Sequence, residues 1–130
     1  MIKALIIDAS AVARGLLNTV LAEGGYDVIG STHTMGQGFA LAMKYHPQIV
    51  CIAREQIEDG SGVVEELRAK LPKSLIFMVS GAIDAATIQS SLALGINGFI
   101  VKPFKADAVL KTIRSAVLAL IKKQQAPPAE

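Results

Sequence analysis

Apolar residues along the chain form five short runs that alternate with longer segments in which apolar and polar residues mix. The runs are rich in Val and Ile, and they lack the every-second-residue alternation of a half-exposed sheet. This pattern is typical of strands that are covered by helices on both faces. We therefore predict five parallel strands, at residues 4–7, 26–29, 49–53, 75–79 and 98–101.

The segments between these strands have the spacing of apolar residues that helices show. Gly24-Gly25 and Gly95 follow the first and the fourth segment, at the position where a left-handed residue commonly ends a helix. Alternating strands and helices, joined by right-handed crossovers, favour an α/β, flavodoxin-like, doubly wound sheet with strand order 2-1-3-4-5. Five helices are predicted, at residues 11–23, 38–45, 62–70, 85–94 and 105–122.

Length and charge narrow the classes of function. The 130 residues suit one domain, expected over residues 1–122, and the polar, Pro-containing residues 123–130 are expected to be a flexible C-terminal tail. The formal net charge is +2 and the cations are scattered, so we expect no nucleic-acid partner. No apolar run reaches the ~18 residues of a membrane helix, and Asp8 comes too early for a signal peptide. A cytoplasmic protein without a membrane partner is expected.

Cys51 is the single cysteine and lies in the third predicted strand. A thiol in an apolar run is more often part of the core than a nucleophile. His33 and His46 lack a metal-ligand spacing to Cys51, and surface positions are expected for both.

Four local motifs, taken together, carry a family resemblance. They are LIIDAS at residues 5–10, DGSG at 59–62, FMVSG at 77–81 and GINGFIVKPF at 95–104. The last is the most specific, because it combines a strand with a following Lys-Pro and a preceding Gly-x-x-Gly. Over residues 2 to 122 the chain resembles a response-regulator receiver domain.

The resemblance implies a phosphorylation pocket at the carboxyl ends of the strands. In the family, two acids after the first strand and a phosphorylatable Asp on the third hold Mg²⁺, and a Ser or Thr and a Lys bind the phosphoryl oxygens. Asp8, Ser80 and Lys102 stand at matching positions, whereas Ala9 replaces the second acid. The pocket therefore departs from the family pattern at the first strand.

The third strand departs further. Counting forward from Pro47 places the acceptor at Ala53, and counting back from residues 59–62 places it at Arg54. Neither residue has a carboxylate, so neither supplies a nucleophile for phosphoryl transfer. The sequence predicts a degenerate pocket, and the choice between Ala53 and Arg54 stays open.

A pocket with one acid is expected to bind Mg²⁺ weakly or not at all, with Asp8 a residual ligand at best, and no other cofactor is expected. Either Lys102 or Arg54 is predicted to pair with Asp8. Glu55 and Asp59 are the alternative acceptors. Phe99 is the family's switch aromatic, and it is expected simply to pack while no phosphoryl group biases the switch.

The last predicted helix has a wide apolar arc that includes Leu110, Val117, Leu118 and Ile121. The arc is either additional core or a surface for a partner or a second copy. In receivers, the fourth helix, fifth strand and fifth helix form the usual partner face. This resemblance makes the partner surface about as well supported as additional core.

The sequence thus predicts a stand-alone pseudo-receiver of two-component or phosphorelay signalling that is not an enzyme. It is expected to act by phosphorylation-independent binding to a histidine kinase, another signalling protein or itself. Two alternatives stay open. One is a phosphorelay receiver with Glu55 or Asp59 as acceptor, and the other is a small anion- or nucleotide-binding module at the strand ends, near Asp8, Arg54, Ser80 and Lys102.

Overall fold

Five parallel strands form the centre of the structure, a computed structural model that describes residues 1–59 and 62–125. Their order in the sheet is β2-β1-β3-β4-β5, which confirms the predicted topology. β3 and β5 have the predicted bounds. The strands are β1 Lys3–Ile7, β2 Asp27–Thr32, β3 Ile49–Ala53, β4 Leu75–Ser80 and β5 Gly98–Val101.

The described residues contain six helices, one more than predicted. The additional helix, α3, has six residues and directly follows β3, and it is too short to give a periodic apolar pattern. α6 continues to Gln125, three residues past the predicted limit. The helices are α1 Ala11–Glu23, α2 Met35–Tyr45, α3 Arg54–Asp59, α4 Val63–Lys70, α5 Ala85–Leu94 and α6 Ala106–Gln125. Of the predicted tail, residues 126–130 lie outside the described residues.

Side chains just before the helices fix where they begin. Ser10, Thr34 and Asp84 each accept a hydrogen bond from a backbone N–H in the first turn of α1, α2 and α5. At the other end, Gly95 is left-handed with φ 103° and closes α5. His46 closes α2 in the same conformation, with φ 49°. These caps define the loops at both ends of the sheet.

The sheet separates two apolar cores. α1 and α6 cover one face, where Leu17 and Leu21 pack with Val109 and Ile113. α2 and α4 cover the other face with residues such as Ala42, Val64 and Leu67. All five residues of β3 are buried, as a central strand covered on both faces requires.

Cys51 lies within β3 and has no exposed surface. Burial raises the pKa of its thiol to about 12, because the thiolate would lose its hydration. The predicted core role of Cys51 agrees with this position.

Within residues 1–59 and 62–125, no helix combines the length and the apolar character that crossing a membrane demands.

Candidate functional site

The site lies at the carboxyl ends of the strands, where Asp8 follows β1 and Lys102 follows β5. The ammonium of Lys102 lies 3.0 Å from Oδ2 of Asp8. The Asp8 side chain is 7% exposed and that of Lys102 is 29% exposed, so the pair is largely shielded from water. Of the two cations predicted to pair with Asp8, Lys102 is the one that does so. Its long aliphatic stem allows it to reach past the ends of β4 and β3.

Two residues that the sequence prediction missed hold Asp8 in place. The backbone N–H of Ser10 donates to Oδ1 of Asp8 at 2.9 Å. Arg14 donates from Nη1 to the Asp8 carbonyl at 2.7 Å and to the Ala9 carbonyl at 3.3 Å. An Asp followed two residues later by Ser is a sequence signal for a turn in which the side chain accepts from the backbone. The contact of Arg14 has no such signal, because it depends on the first turn of α1, which brings the side chain back to Asp8.

A cavity of about 240 Å³ adjoins the ion pair. Ala53, the last residue of β3, lines it and is 1% exposed, whereas Arg54 does not line it. Glu55 and Gln56 from the first turn of α3 also line it. The structure therefore places Ala53 beside Asp8 and Lys102, at the position that counting from Pro47 predicted.

Arg54 and Ser80 form hydrogen bonds with Ala82 and do not line this cavity. Nε of Arg54 lies 2.6 Å from Oε1 of Glu58, and its Nη1 donates to the Ala82 carbonyl at 2.8 Å. The Ser80 hydroxyl also donates to the Ala82 carbonyl, at 3.0 Å, and it accepts from the Ala82 N–H at 3.2 Å. The six predicted pocket residues thus divide into two groups, one around the cavity and one around Ala82. Asp59 has no described side chain, so its alternative role lies outside the described residues.

The predicted partner residues on α6 differ in exposure. Leu118 is 59% exposed and Ile121 is 41% exposed. Val117 packs against the core, and Leu110 occupies the space where a side chain at Gly24 would lie. Phe99 is half-buried and packs against the core on the α2 and α4 face.

The donor atoms around Asp8 determine whether the site suits a metal ion. In the part of the chain that the structure describes, no three His, Cys, Asp or Glu side chains come together to form a metal site. Asp8 supplies one carboxylate, which is paired with Lys102, and Ala9 and Ala53 supply none. Glu55 is an exposed acid on the wall of the same cavity and makes no three-residue group with Asp8 among the described residues. A hard divalent cation prefers several oxygen ligands, so these residues do not fit a resident Mg²⁺.

Comparisons with known proteins show the family and the fold of the chain. The family model of the response regulator receiver domain matches residues 4–114. The chemotaxis protein CheY of Bacillus subtilis is 26% identical over 114 residues, which cover 87% of this chain and 95% of CheY. The transcriptional regulatory protein DcuR of Escherichia coli is 31% identical; the match covers all of this chain and 57% of DcuR.

Solved structures share the fold at low sequence identity. A CheY-like receiver domain protein from Methanospirillum hungatei superposes with a TM-score of 0.83 at 21% identity, over 95% of this chain and 98% of that protein. The receiver domain of a modulated diguanylate cyclase from Desulfovibrio desulfuricans gives a TM-score of 0.79 at 22% identity, over 93% and 97% of the two chains. The family match spans most of the chain and all five strands of the sheet. This chain therefore belongs to the response regulator receiver domain family of two-component signalling.

Proposed function

We propose that this chain is a pseudo-receiver: a non-enzymatic receiver that signals in the cytoplasm by binding a protein partner, independently of phosphorylation. The partner is a histidine kinase or another signalling protein. The observation that carries the proposal is Ala53, a methyl group at the end of β3 beside Asp8 and Lys102. A methyl group has no oxygen that can accept a phosphoryl group.

The Asp8–Lys102 pair supports the same conclusion. In a phosphorylatable site, the cation that neutralises the carboxylates and the incoming phosphoryl group is a metal ion. Here the ammonium of Lys102 already neutralises Asp8 at 3.0 Å. Among the strand-end residues Asp8, Ala9, Ala53 and Lys102, the charges therefore balance without a metal ion or a phosphoryl group.

Glu55 supports a second candidate function. Its side chain is exposed and lines the same cavity as Asp8 and Lys102. A carboxylate there is an alternative acceptor, and in that case the chain would be a phosphorelay receiver with a displaced phosphorylation site. The contacts of Arg54 with Glu58 and of Lys102 with Asp8 do not favour an anion- or nucleotide-binding module, because both cations already have acidic partners.

Intact mass after incubation with acetyl phosphate separates the two candidates. The pseudo-receiver is expected to show no phosphoryl adduct, with or without Mg²⁺, under conditions in which an ordinary receiver is modified. A Mg²⁺-dependent adduct that disappears in Glu55→Gln but persists in Glu58→Gln would contradict the proposal and establish Glu55 as the acceptor. Glu58 is the matched control, because it lies on the same short helix and does not line the cavity.

A further inference from the structure

The end of the sheet opposite Asp8 carries most of the lysines. All five strands run parallel and the helices that cover them run back, so strand starts and helix ends lie at the same end of the molecule. Six of the chain's nine lysines lie there, together with Arg68, whereas the described acids there are Glu23 and Asp27. The lysines are Lys3, Lys44, Lys70, Lys73, Lys122 and Lys123. The fold therefore gathers cations that are scattered along the sequence.

Helix dipoles reduce this positive charge but do not cancel it. The carboxyl end of a helix is equivalent to about half a negative charge, and α1, α2, α4, α5 and α6 all end here. The cations outnumber the sum of these partial charges and of Glu23 and Asp27. An excess of charge at one end attracts anionic molecules from a distance and orients them as they approach.

A cavity of about 260 Å³ lies at this end, between the loops that lead into β3 and β4. Lys70 and Lys73 line it on the side of α4, and His46 lines it at the end of α2. Two apolar residues in its wall, Pro47 and Leu71, are buried. The ionised groups in the wall are the two ammonium groups, which suit a carboxylate.

Hydrogen bonds connect the two loops around the cavity. The Ser74 hydroxyl donates to the Pro47 carbonyl at 2.6 Å, and the N–H of Leu75 donates to the Gln48 carbonyl at 2.8 Å. Ser74 is itself buried. The cavity is therefore formed before a ligand arrives, and binding does not first have to order the backbone.

Lys70 and Lys73 are not engaged by acids of the described chain. Both ion pairs among the described residues lie at the other end of the sheet. Lys70 and Lys73 are exposed, and no carboxylate of a described side chain comes within 4.0 Å of either ammonium group. Glu66 precedes Lys70 by one helical turn and stays beyond this distance. The two ammonium groups are therefore available to carboxylates of another molecule.

The shape and composition of this end favour an acidic protein segment over other anionic partners. Single-stranded nucleic acids stack their bases on aromatic side chains, and all six Phe and Tyr residues of the chain are buried or half-buried. A bilayer presents a flat anionic surface, whereas a cavity of this volume accepts single side chains. Glu and Asp in an extended segment supply carboxylates that can enter it one at a time.

We propose that the end of the molecule where the strands start binds an acidic segment of a partner protein. One carboxylate of the segment occupies the cavity, where Lys70 and Lys73 donate charged hydrogen bonds and a ring N–H of His46 donates a further one. The other lysines of this end attract the rest of the segment. The inference rests on the proposed partner-binding function, and it identifies the chemistry of the partner and a surface separate from the apolar residues of α6.

Binding of a defined peptide tests the proposal. The probe is a short fluorescent peptide of alternating Glu and Ser, and its control is the same peptide with Gln in place of every Glu. The Glu peptide is expected to bind the full chain, more weakly as the salt concentration rises, and the Gln peptide is not. Amide resonances of Gln48 and Lys73 are expected to shift, whereas those of Ser80 and Lys102, at the opposite end of the sheet, are not.

Charge-reversed variants locate the binding site. Lys70→Glu/Lys73→Glu is expected to weaken binding of the Glu peptide at least about tenfold, or 1.4 kcal/mol. Lys70→Gln/Lys73→Gln removes the charges without reversing them, so it is expected to show a smaller loss and serves if the reversed variant does not fold. Lys111→Glu/Arg114→Glu is the matched control, because it changes the net charge equally at two exposed positions on α6 that do not line the cavity. Distant charges are screened within ~8 Å at physiological salt, so the control is expected to bind like the parent chain.

Three outcomes would overturn the inference. The first is no binding of the Glu peptide at about 1 mM, and the second is equal loss in the two charge-reversed variants. The third is tighter binding of duplex DNA, or of vesicles that contain phosphatidylserine, that Lys70→Glu/Lys73→Glu abolishes, which would assign this end to a nucleic acid or a membrane. Binding of the Glu peptide that appears only after acetyl phosphate treatment would contradict the phosphorylation-independent function while leaving the lysine site in place.

Discussion

The ion pair between Asp8 and Lys102 joins two strands that are not neighbours in the sheet. β1 and β5 are separated by β3 and β4, so the pair ties the centre of the sheet to its edge. Asp8 is the more deeply buried partner. A buried carboxylate that loses its cation keeps the cost of its lost hydration, which is larger than the net gain of forming the pair.

A double-mutant cycle measures this coupling. Lys102→Met leaves the Asp8 carboxylate without its cation, and we expect the free energy of unfolding to fall by about 1–3 kcal/mol, a range reduced because Lys102 is partly exposed. Asp8→Asn keeps an oxygen for the Ser10 N–H and removes the charge. The double variant is expected to be more stable than the sum of the single changes implies. Urea unfolding of the four proteins gives the values, and simple additivity would argue against the coupling.

At the scale of single elements, α5 depends on its N-terminal cap. The N–H of Thr87 donates to Oδ1 of Asp84 at 2.8 Å. This hydrogen bond from the backbone, together with the Thr87 hydroxyl, lowers the pKa of Asp84 from its usual 3.8. The cap therefore adds stability above the usual pKa, and this contribution is lost as the pH falls through the lowered pKa.

The expected signature is a loss of stability in acid that Asp84→Asn reduces. Asn caps a helix without titrating, so the pH dependence of unfolding below pH 3.8 should be weaker in this variant. Asp84→Ala removes the cap at every pH and should be less stable than the parent above pH 4 as well. Thermal unfolding across this range distinguishes the two variants, and identical pH profiles for Asp84→Asn and the parent would refute the assignment.

Helices with clear capping residues at their ends were predictable from the sequence. α1 and α5 have the predicted bounds, because Ser10 and Asp84 cap their starts and glycines follow their ends. α2 begins three residues before its predicted start, since Gly36 and Gly38 weaken the helical pattern while Thr34 still caps it. β2 extends to Thr32 through polar residues that pair with β1 at the edge of the sheet, and pairing of this kind leaves no apolar signature.

The sequence predicted most members of the site and narrowed the partner of Asp8 to two cations, but it missed Ser10 and Arg14 and most of the contacts. The resemblance to receiver domains identified Asp8 and Lys102 and left Ala53 and Arg54 as alternatives, and parallel strands bring their carboxyl ends to one edge of the sheet. The choice between Ala53 and Arg54 needed the end of β3 to be known to one residue. The turn of Arg54 and Ser80 toward Ala82 depends on the loop after β4, and no sequence pattern fixes it.

Over the whole molecule, Arg68 connects parts of the chain that are far apart in sequence. Its guanidinium donates to the carbonyls of Pro72, Ser74 and Gly95 and to the side-chain oxygen of Asn97. It thereby holds the end of α4 to the loop that leads into β5. Partial burial lowers the pKa of Arg68. The planar, forked guanidinium can donate to all four neutral oxygens at once.

Removal of the Arg68 guanidinium is expected to weaken the attachment of the loop that leads into β5. Arg68→Ala should lower the free energy of unfolding by about 2–3 kcal/mol, and Arg68→Lys should recover less than half of that loss because one ammonium cannot reach all four acceptors. Lys70→Ala, an exposed change on the same helix, is expected to stay within ~0.5 kcal/mol of the parent. Hydrogen exchange at Ile96 and Asn97 should accelerate in Arg68→Ala alone, and unchanged exchange would show that Arg68 does not hold this loop.

The buried thiol of Cys51 can report how often the sheet opens around β3. It is the chain's single thiol, it lies in the central strand, and it has no surface in contact with water. A thiol-specific reagent can reach it only when β3 separates from its neighbours, so the labelling rate in native buffer follows the population of opened molecules. The labelling rate of Cys51 therefore compares opening among the variants discussed above, without denaturant and without an engineered cysteine.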